Sequence, residues 1–321
     1  MAADGAAPGG TVRSTVAYAE RDTGPLLMDV VVPSGAPVPP PVVIWLHGGG
    51  WFTGDRTMAP DLAVHFASRG FAMASIDYRL SGEALFPAQL HDVRAAVRYV
   101  RAHAGELGVD ADAVGLWGSS AGGHLAALAG LTGHLDALPG EPGAAGSAAV
   151  RAVAEGYGPV DLARIVADSA APPHMAGPNA PEARLIGGPP DALPDAARAA
   201  SPLAYVTPAA PPFLIAHGTA DALVRPDQSV MLHDALAGAG VDAALYLLDG
   251  VRHGFLNPRG PGEIGGTDGP TGGPLSGLMD DGRLDAAPLP RATRRDAHGA
   301  EERTVFSYAT VGDFFDRVLR G

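Results

Sequence analysis

The sequence predicts an α/β protein built on a mostly parallel sheet. Three observations carry that prediction. First, short continuous apolar runs recur: Val42-Val43-Ile44-Trp45-Leu46, Phe71–Ile76, Val114–Trp117 and Phe213–Ala216. A strand covered on both faces reads this way. Second, helical patterns lie between these runs, and strand–helix alternation implies βαβ crossovers. Third, the turn Gly118-Ser119-Ser120-Ala121-Gly122 joins one apolar run to Leu125–Ala129, a good helix former.

The 321 residues suffice for one large α/β domain with loop insertions, and nothing near the midpoint reads as a linker. A net charge of −13 argues against nucleic acid and anionic membrane surfaces as partners. The chain has no cysteine, which excludes disulfides, thiolate metal sites and a cysteine nucleophile. Met1–Gly5 has neither a basic nor an apolar leader region, and no apolar run approaches about 18 residues. The expectation is a cytoplasmic protein without a membrane span; a homodimer stays open.

In chain order, Val12–Ala19 and Leu26–Val32 read as an antiparallel hairpin across Asp22-Thr23-Gly24-Pro25. The apolar strand Val42–Leu46 ends in His47-Gly48-Gly49-Gly50-Trp51. Glycines there let the backbone approach a ligand and turn its N–H groups inward. Asp61–Arg69 reads as a helix, and Phe71–Ile76 as a strand running into Asp77-Tyr78-Arg79-Leu80. A helix follows from Phe86 to Arg101, with Leu90, Val93, Val97 and Val100 as its buried stripe. Asp92 on that helix is expected to anchor Arg79 as a structural ion pair. Ala137–Ala148 reads as surface loop and Val150–Ala154 as a strand. Residues 162–205 are helical patches broken by prolines, a cap-like insertion that could wall a pocket; His174 and Met175 lie in it. Pro212–His217 and Ala243–Leu248 are further strands, the latter expected to be the last. Residues 257–302 are rich in Gly, Pro and Asp without convincing periodicity, and are expected to be a flap or a surface loop beside the site. Val311, Phe314, Phe315 and Val318 form the apolar face of a closing helix.

Gly-x-Ser-x-Gly between strand and helix puts Ser120 on a strained turn. A side chain at either glycine would collide with the neighbouring strand or helix. The helix start below it supplies N–H groups for an oxyanion. A serine hydroxyl needs a base to take its proton as it attacks. His253 follows the strand Ala243–Leu248, and Asp221 sits just past the strand Pro212–His217, giving the order Ser120, Asp221, His253. Asp221 would fix the tautomer of His253 and stabilise its imidazolium. The N–H groups of Gly49, Gly50 and Ala121 would bind the oxyanion. Among the eleven histidines, His65, His91, His103, His134 and His233 lie in or beside helical patterns and are expected at the surface. His124 should pack against the sheet, His47 should brace the glycine turn, His217 is a weaker rival to His253, and His298 lies in the long insertion. Asp249 is a less favoured acid.

Together His47–Trp51, Asp77–Leu80, Phe86-Pro87 with Asp92, Gly118–His124, His217–Asp221 and His253–Phe255 resemble the α/β-hydrolase superfamily. Within it the chain is similar to hormone-sensitive-lipase-like carboxylesterases and bacterial acetyl/feruloyl esterases. The resemblance implies one α/β-hydrolase domain over residues 1–321. Its sheet would be mostly parallel and eight-stranded, with helices on both faces and cap insertions over the strand C-terminal ends. It implies hydrolysis of small carboxylic esters, commonly of short acyl chains, without cofactor or metal. Trp51 and Ser119 are then expected substrate contacts. Two departures bear on substrate range: Gly118-Ser119 precedes the nucleophile where many relatives carry an acidic residue, and the insertion after His253 is long. Aryl-formamidases share the glycine turn and triad, acyl transfer would share the acyl-enzyme, and a non-catalytic receptor would be expected to lack a triad member.

Overall fold

The structure is a computed structural model describing residues 4–7, 10–36, 38–168, 176–258 and 277–321. His174, Met175 and residues 259–276 of the long insertion lie outside the described residues. The strands are β1 Asp4–Ala7, β2 Thr11–Arg21, β3 Gly24–Pro33, β4 Val42–Leu46, β5 Ala72–Ile76, β6 Val114–Ser119, β7 Ala152–Gly156, β8 Phe213–Gly218, β9 Ala243–Leu248, β10 Arg291–Arg295 and β11 Glu301–Val305. The helices are α1 Leu62–His65, α2 Ala88–Ala102, α3 Ala104–Leu107, α4 Ala121–Thr132, α5 Leu162–Asp168, α6 Pro181–Ile186, α7 Pro194–Ala199, α8 Asp227–Gly238 and α9 Tyr308–Leu319.

Among the described residues, eleven strands form one sheet in the order β1-β2-β3-β5-β4-β6-β7-β8-β9-β10-β11. Its centre, β5 to β9, is wholly parallel. Both wings are antiparallel. Strands β2 to β9 supply the eight that were expected, including the β2–β3 hairpin; β1, β10 and β11 extend the sheet beyond them. The last two correct the reading of residues 257–302 as patternless loop, and β9 is not the last strand. Only Ala292 of β10 is buried, and every residue of β11 has at least partial exposure. A strand pair wetted on both faces has no hydrophobic alternation for sequence to display. It is held instead by backbone pairing and by cross-strand charge, with Arg294 opposite Glu302 at 3.1 Å.

Alternate residues of β4 separate two cores, as period-2 side chains require. Val42, Ile44 and Leu46 share one core with Leu90, Val93 and Val97 of α2, Leu125 and Leu128 of α4, and Leu232 and Leu236 of α8. Val43 and Trp45 meet Phe66 and, from α9, Val311, Phe314 and Phe315. Two histidines expected at the surface are buried, His91 at 5% and His233 at 2% exposure. For His91 the cause is the loop 137–148, which lays Glu141 against α2 and pairs it with Arg94 at 2.8 Å and with Arg98. For His233 it is the β10–β11 turn, whose Asp296 carbonyl lies 3.1 Å from Nε2. Arg79 and Asp92 form the expected ion pair at 2.8 Å, joined by Arg21. No helix among the described residues is long and apolar enough to cross a membrane.

Candidate active site

Ser120 stands between β6 and α4 with φ 53° and ψ −119°, a conformation that L-residues rarely adopt. The strain is fixed by crowding. A Cβ on Gly122 would overlap the Leu46 carbonyl and lie 2.6 Å from the His47 carbonyl oxygen. One on Gly118 would overlap the Gly122 carbonyl. The Ser120 N–H donates to the Gly156 carbonyl at 2.7 Å, tying the turn to β7.

His253 lies on the loop after β9, with Nε2 2.9 Å from Ser120 Oγ and Nδ1 2.6 Å from Asp221 Oδ2. A carboxylate only accepts, so Nδ1 carries the hydrogen and Nε2 is left to accept from the serine. Asp221 follows β8, and the N–H groups of Leu223 and Val224 donate to its Oδ1 at 2.9 Å each. Burial pushes its carboxyl up, but the His253 and His217 rings pull harder and hold it below the usual carboxylate range. Asp249, the less favoured acid, pairs instead with Arg303 of β11.

Gly49 and Gly50 have φ of 111° and 58°, which a side chain would strain. Ala121 is the first residue of α4, where N–H groups have no acceptor within the helix. Behind the glycine turn, His47 Nδ1 donates to the Gly48 carbonyl at 2.7 Å, and its ring stacks on Tyr78 at 4.2 Å. The Tyr78 hydroxyl in turn donates to the His47 carbonyl at 2.8 Å. Trp51 and Ser119, expected as substrate contacts, are buried at 2% and 0% exposure. The Trp51 indole N–H points at His124 Nδ1 at 3.2 Å, while His124 Nε2 donates to the Ala200 carbonyl at 2.7 Å. His124 thus links the glycine turn to the segment after α7. Burial pushes it down to about 4, keeping it the neutral acceptor that Trp51 requires.

Sequence reasoning missed two supports of His253. One is Tyr157, buried with φ 43°, whose ring stands edge-on to His253 at 4.7 Å. Its hydroxyl accepts the Leu256 N–H at 3.2 Å. The placement of Tyr157 between glycines at a strand end was the signal available. The other is the returning arm of the insertion. The Asp280 N–H donates to the His253 carbonyl at 2.7 Å, and the Asp280 carboxylate takes the Arg252 N–H at 2.7 Å and its guanidinium at 2.9 Å. The Gly282 N–H donates to the Asn257 carbonyl at 2.8 Å. Residues 280–282 therefore brace the His253 loop and are neither flap nor inert surface.

Esterase LipC of Mycobacterium tuberculosis is 33% identical over 219 residues, 68% of this chain and 53% of that protein. Esterase LipQ of the same organism is 34% identical over 67% of this chain and 50% of its own length. The chain thus spans about half the length of these curated relatives. Among solved structures, a truncated carbohydrate esterase from gut microbiota superposes with TM-score 0.67 at 31% identity, covering 77% of this chain and 91% of that one. Thermogutta terrifontis esterase 2 phosphorylated by paraoxon gives 0.63 at 27% identity, covering 80% and 88%. The BD-FAE family model matches residues 28–236. The chain belongs to the BD-FAE family and has the α/β-hydrolase fold.

Proposed function

We propose that this chain is a serine hydrolase of small carboxylic esters that works through an acyl-enzyme on Ser120. The observation that carries the reading is the unbroken line from Ser120 Oγ through His253 to Asp221, 2.9 and 2.6 Å long. In it, His253 Nε2 takes the serine proton as Oγ attacks the ester carbonyl. The tetrahedral oxyanion is received by the N–H groups of Gly49, Gly50 and Ala121; losing one such donor typically costs about 3 kcal/mol of barrier. His253 then gives its proton to the departing alcohol, and water, deprotonated by the same ring, releases the acid. Asp221 stabilises the imidazolium in each half-reaction. Trp51 and Ser119 act from behind, supporting the glycine turn and the nucleophile. The esterase names of the relatives favour ester over amide substrates. Short acyl chains are the expected preference.

The test is a p-nitrophenyl ester series from acetate to palmitate, with an organophosphate probe and mass spectrometry in parallel. Turnover on the short esters and one adduct on Ser120 are expected, with both lost in Ser120→Ala while the fold persists. An adduct without ester turnover would move the reaction to an amide or to acyl transfer. Absence of any adduct would overturn the nucleophile.

A further inference from the structure

His217 does more than fill the end of β8. Its Nε2 lies 2.8 Å from the Val224 carbonyl and 3.3 Å from Asp221 Oδ2, the oxygen that also takes the His253 N–H. Neither acceptor has a proton to give, so Nε2 carries the hydrogen. On the other side, Nδ1 lies 2.7 Å from Ser229 Oγ of α8, and that hydroxyl lies 3.5 Å from Glu155 Oε2 of β7. Glu155 Oε1 takes the Gly158 N–H. Glu155, Ser229 and His217 are all at most 1% exposed. Unsatisfied, three polar side chains in a dry interior would be costly. Here they form a single file ending on the triad acid.

We infer that Glu155, Ser229 and His217 are positioning residues that hold Asp221 Oδ2 on His253 through hydrogen bonds of one polarity. Glu155 as the carboxylic acid donates to Ser229, Ser229 to His217 Nδ1, and His217 Nε2 to Val224 and Asp221. The inference rests on the triad reading above. Burial pushes Glu155 up to about 7 against the pull of the His217 ring and the Gly158 N–H, which favour its anion. The charged and titratable groups facing this file are Asp221, His253, the phenol of Tyr157, whose ring stands edge-on to both imidazoles, and, beside His253, Asp281. Among the described residues no arginine faces Glu155. The file therefore gives up its proton to solvent near neutrality, and the anion so formed stands behind Asp221. A second anion there stabilises the imidazolium of His253. Glutamine in place of Glu155 forms no anion and withdraws that stabilisation.

The experiment is an NMR titration of nitrogen-labelled histidine in the whole free protein, with His253 identified by loss of its signal in His253→Gln. In Glu155→Gln the His253 midpoint is expected to fall by about half a pH unit, roughly a threefold change in proton affinity. In Ser229→Ala, which removes the acceptor of the acid's proton but keeps both ends, the anion forms more readily and the midpoint should move the other way, upward. A packing role alone would lower the thermal midpoint and leave the titration in place. A His253 midpoint within about 0.2 unit of the parent in both variants would overturn the inference. The readout needs no substrate: a parent that titrates as expected but turns over no ester sinks the esterase reading alone, and an active esterase with unmoved variants sinks the arm alone.

Discussion

Ser120 and His253 meet within hydrogen-bond distance, yet the chain holds them by unlike means. Ser120 is held from within a few residues of itself, where backbone atoms crowd Gly118 and Gly122 until no side chain fits. His253 is held from afar. Residues 280–282 return from an insertion that leaves the chain at Asn257 and clasp the loop by ordinary hydrogen bonds. Steric exclusion accepts one residue type, so it writes itself into the sequence. A hydrogen-bond clasp accepts many, so it leaves no pattern.

The largest effect should come from the crowded side. Gly122→Ala would drive a Cβ into the carbonyls that end β4 and begin the glycine turn, and backbone cannot move aside as a side chain tip can. Failure to fold, or a loss above about 4 kcal/mol in urea unfolding, is expected together with loss of turnover. Gly105→Ala in α3, where nothing lies within 4 Å of the new Cβ, is the control. It should leave stability unchanged or raise it by up to about 1 kcal/mol. Equal tolerance at both positions would break the steric half of the comparison.

The same division explains what could be read from sequence. The strands Val42–Leu46, Phe71–Ile76 and Pro212–His217 were legible because burial on both faces forces continuous apolar runs. Ser120, Asp221 and His253 were legible because the proposed chemistry demands those residue types in that chain order. Strands β10 and β11 were not, because an exposed hairpin held by Arg294 and Glu302 looks like any charged loop. Trp51 and Ser119 show the limit from the other side. Standing next to reacting groups suggested substrate contact, but neighbours along a turn point in opposite directions, and both side chains face the interior. From sequence His217 reads only as a rival to His253; its contact with Asp221 depends on α8 and β7, which no local motif reports.

A middle-sized effect should come from the clasp. Asp280→Ala removes the acceptor for the Arg252 N–H and guanidinium while sparing the triad itself. A fall in kcat of about tenfold at nearly unchanged KM is expected, since a loosened base loses alignment more than substrate affinity. Stability should drop by about 1–2 kcal/mol. Asp280→Asn keeps an acceptor of the same shape and should recover most of the activity. A KM effect without a kcat effect would show that residues 280–282 serve the pocket and not the base.

The smallest effect on rate is expected at Trp51→Phe, which keeps an aromatic ring and deletes only the N–H offered to His124 Nδ1. Turnover should change by less than about threefold, because His47 and Tyr78 still brace the turn. Stability should fall by about 1–3 kcal/mol as a buried acceptor loses its donor. The pH dependence of that loss is the sharper readout. His124 is held at about 4 in the folded protein, below its unfolded value, so the folded state binds fewer protons between those two limits. The parent's stability from this group is complete above about pH 6.5 and drains away as pH falls toward 4. In the variant Nδ1 has no donor opposing its protonation, so His124 protonates more readily and less stability is lost on acidification. The gap between parent and variant should therefore narrow from pH 7 to pH 4. A gap constant across that range would mean that Trp51 contributes bulk alone, and that the glycine turn, like the elbow beside it, is held by shape.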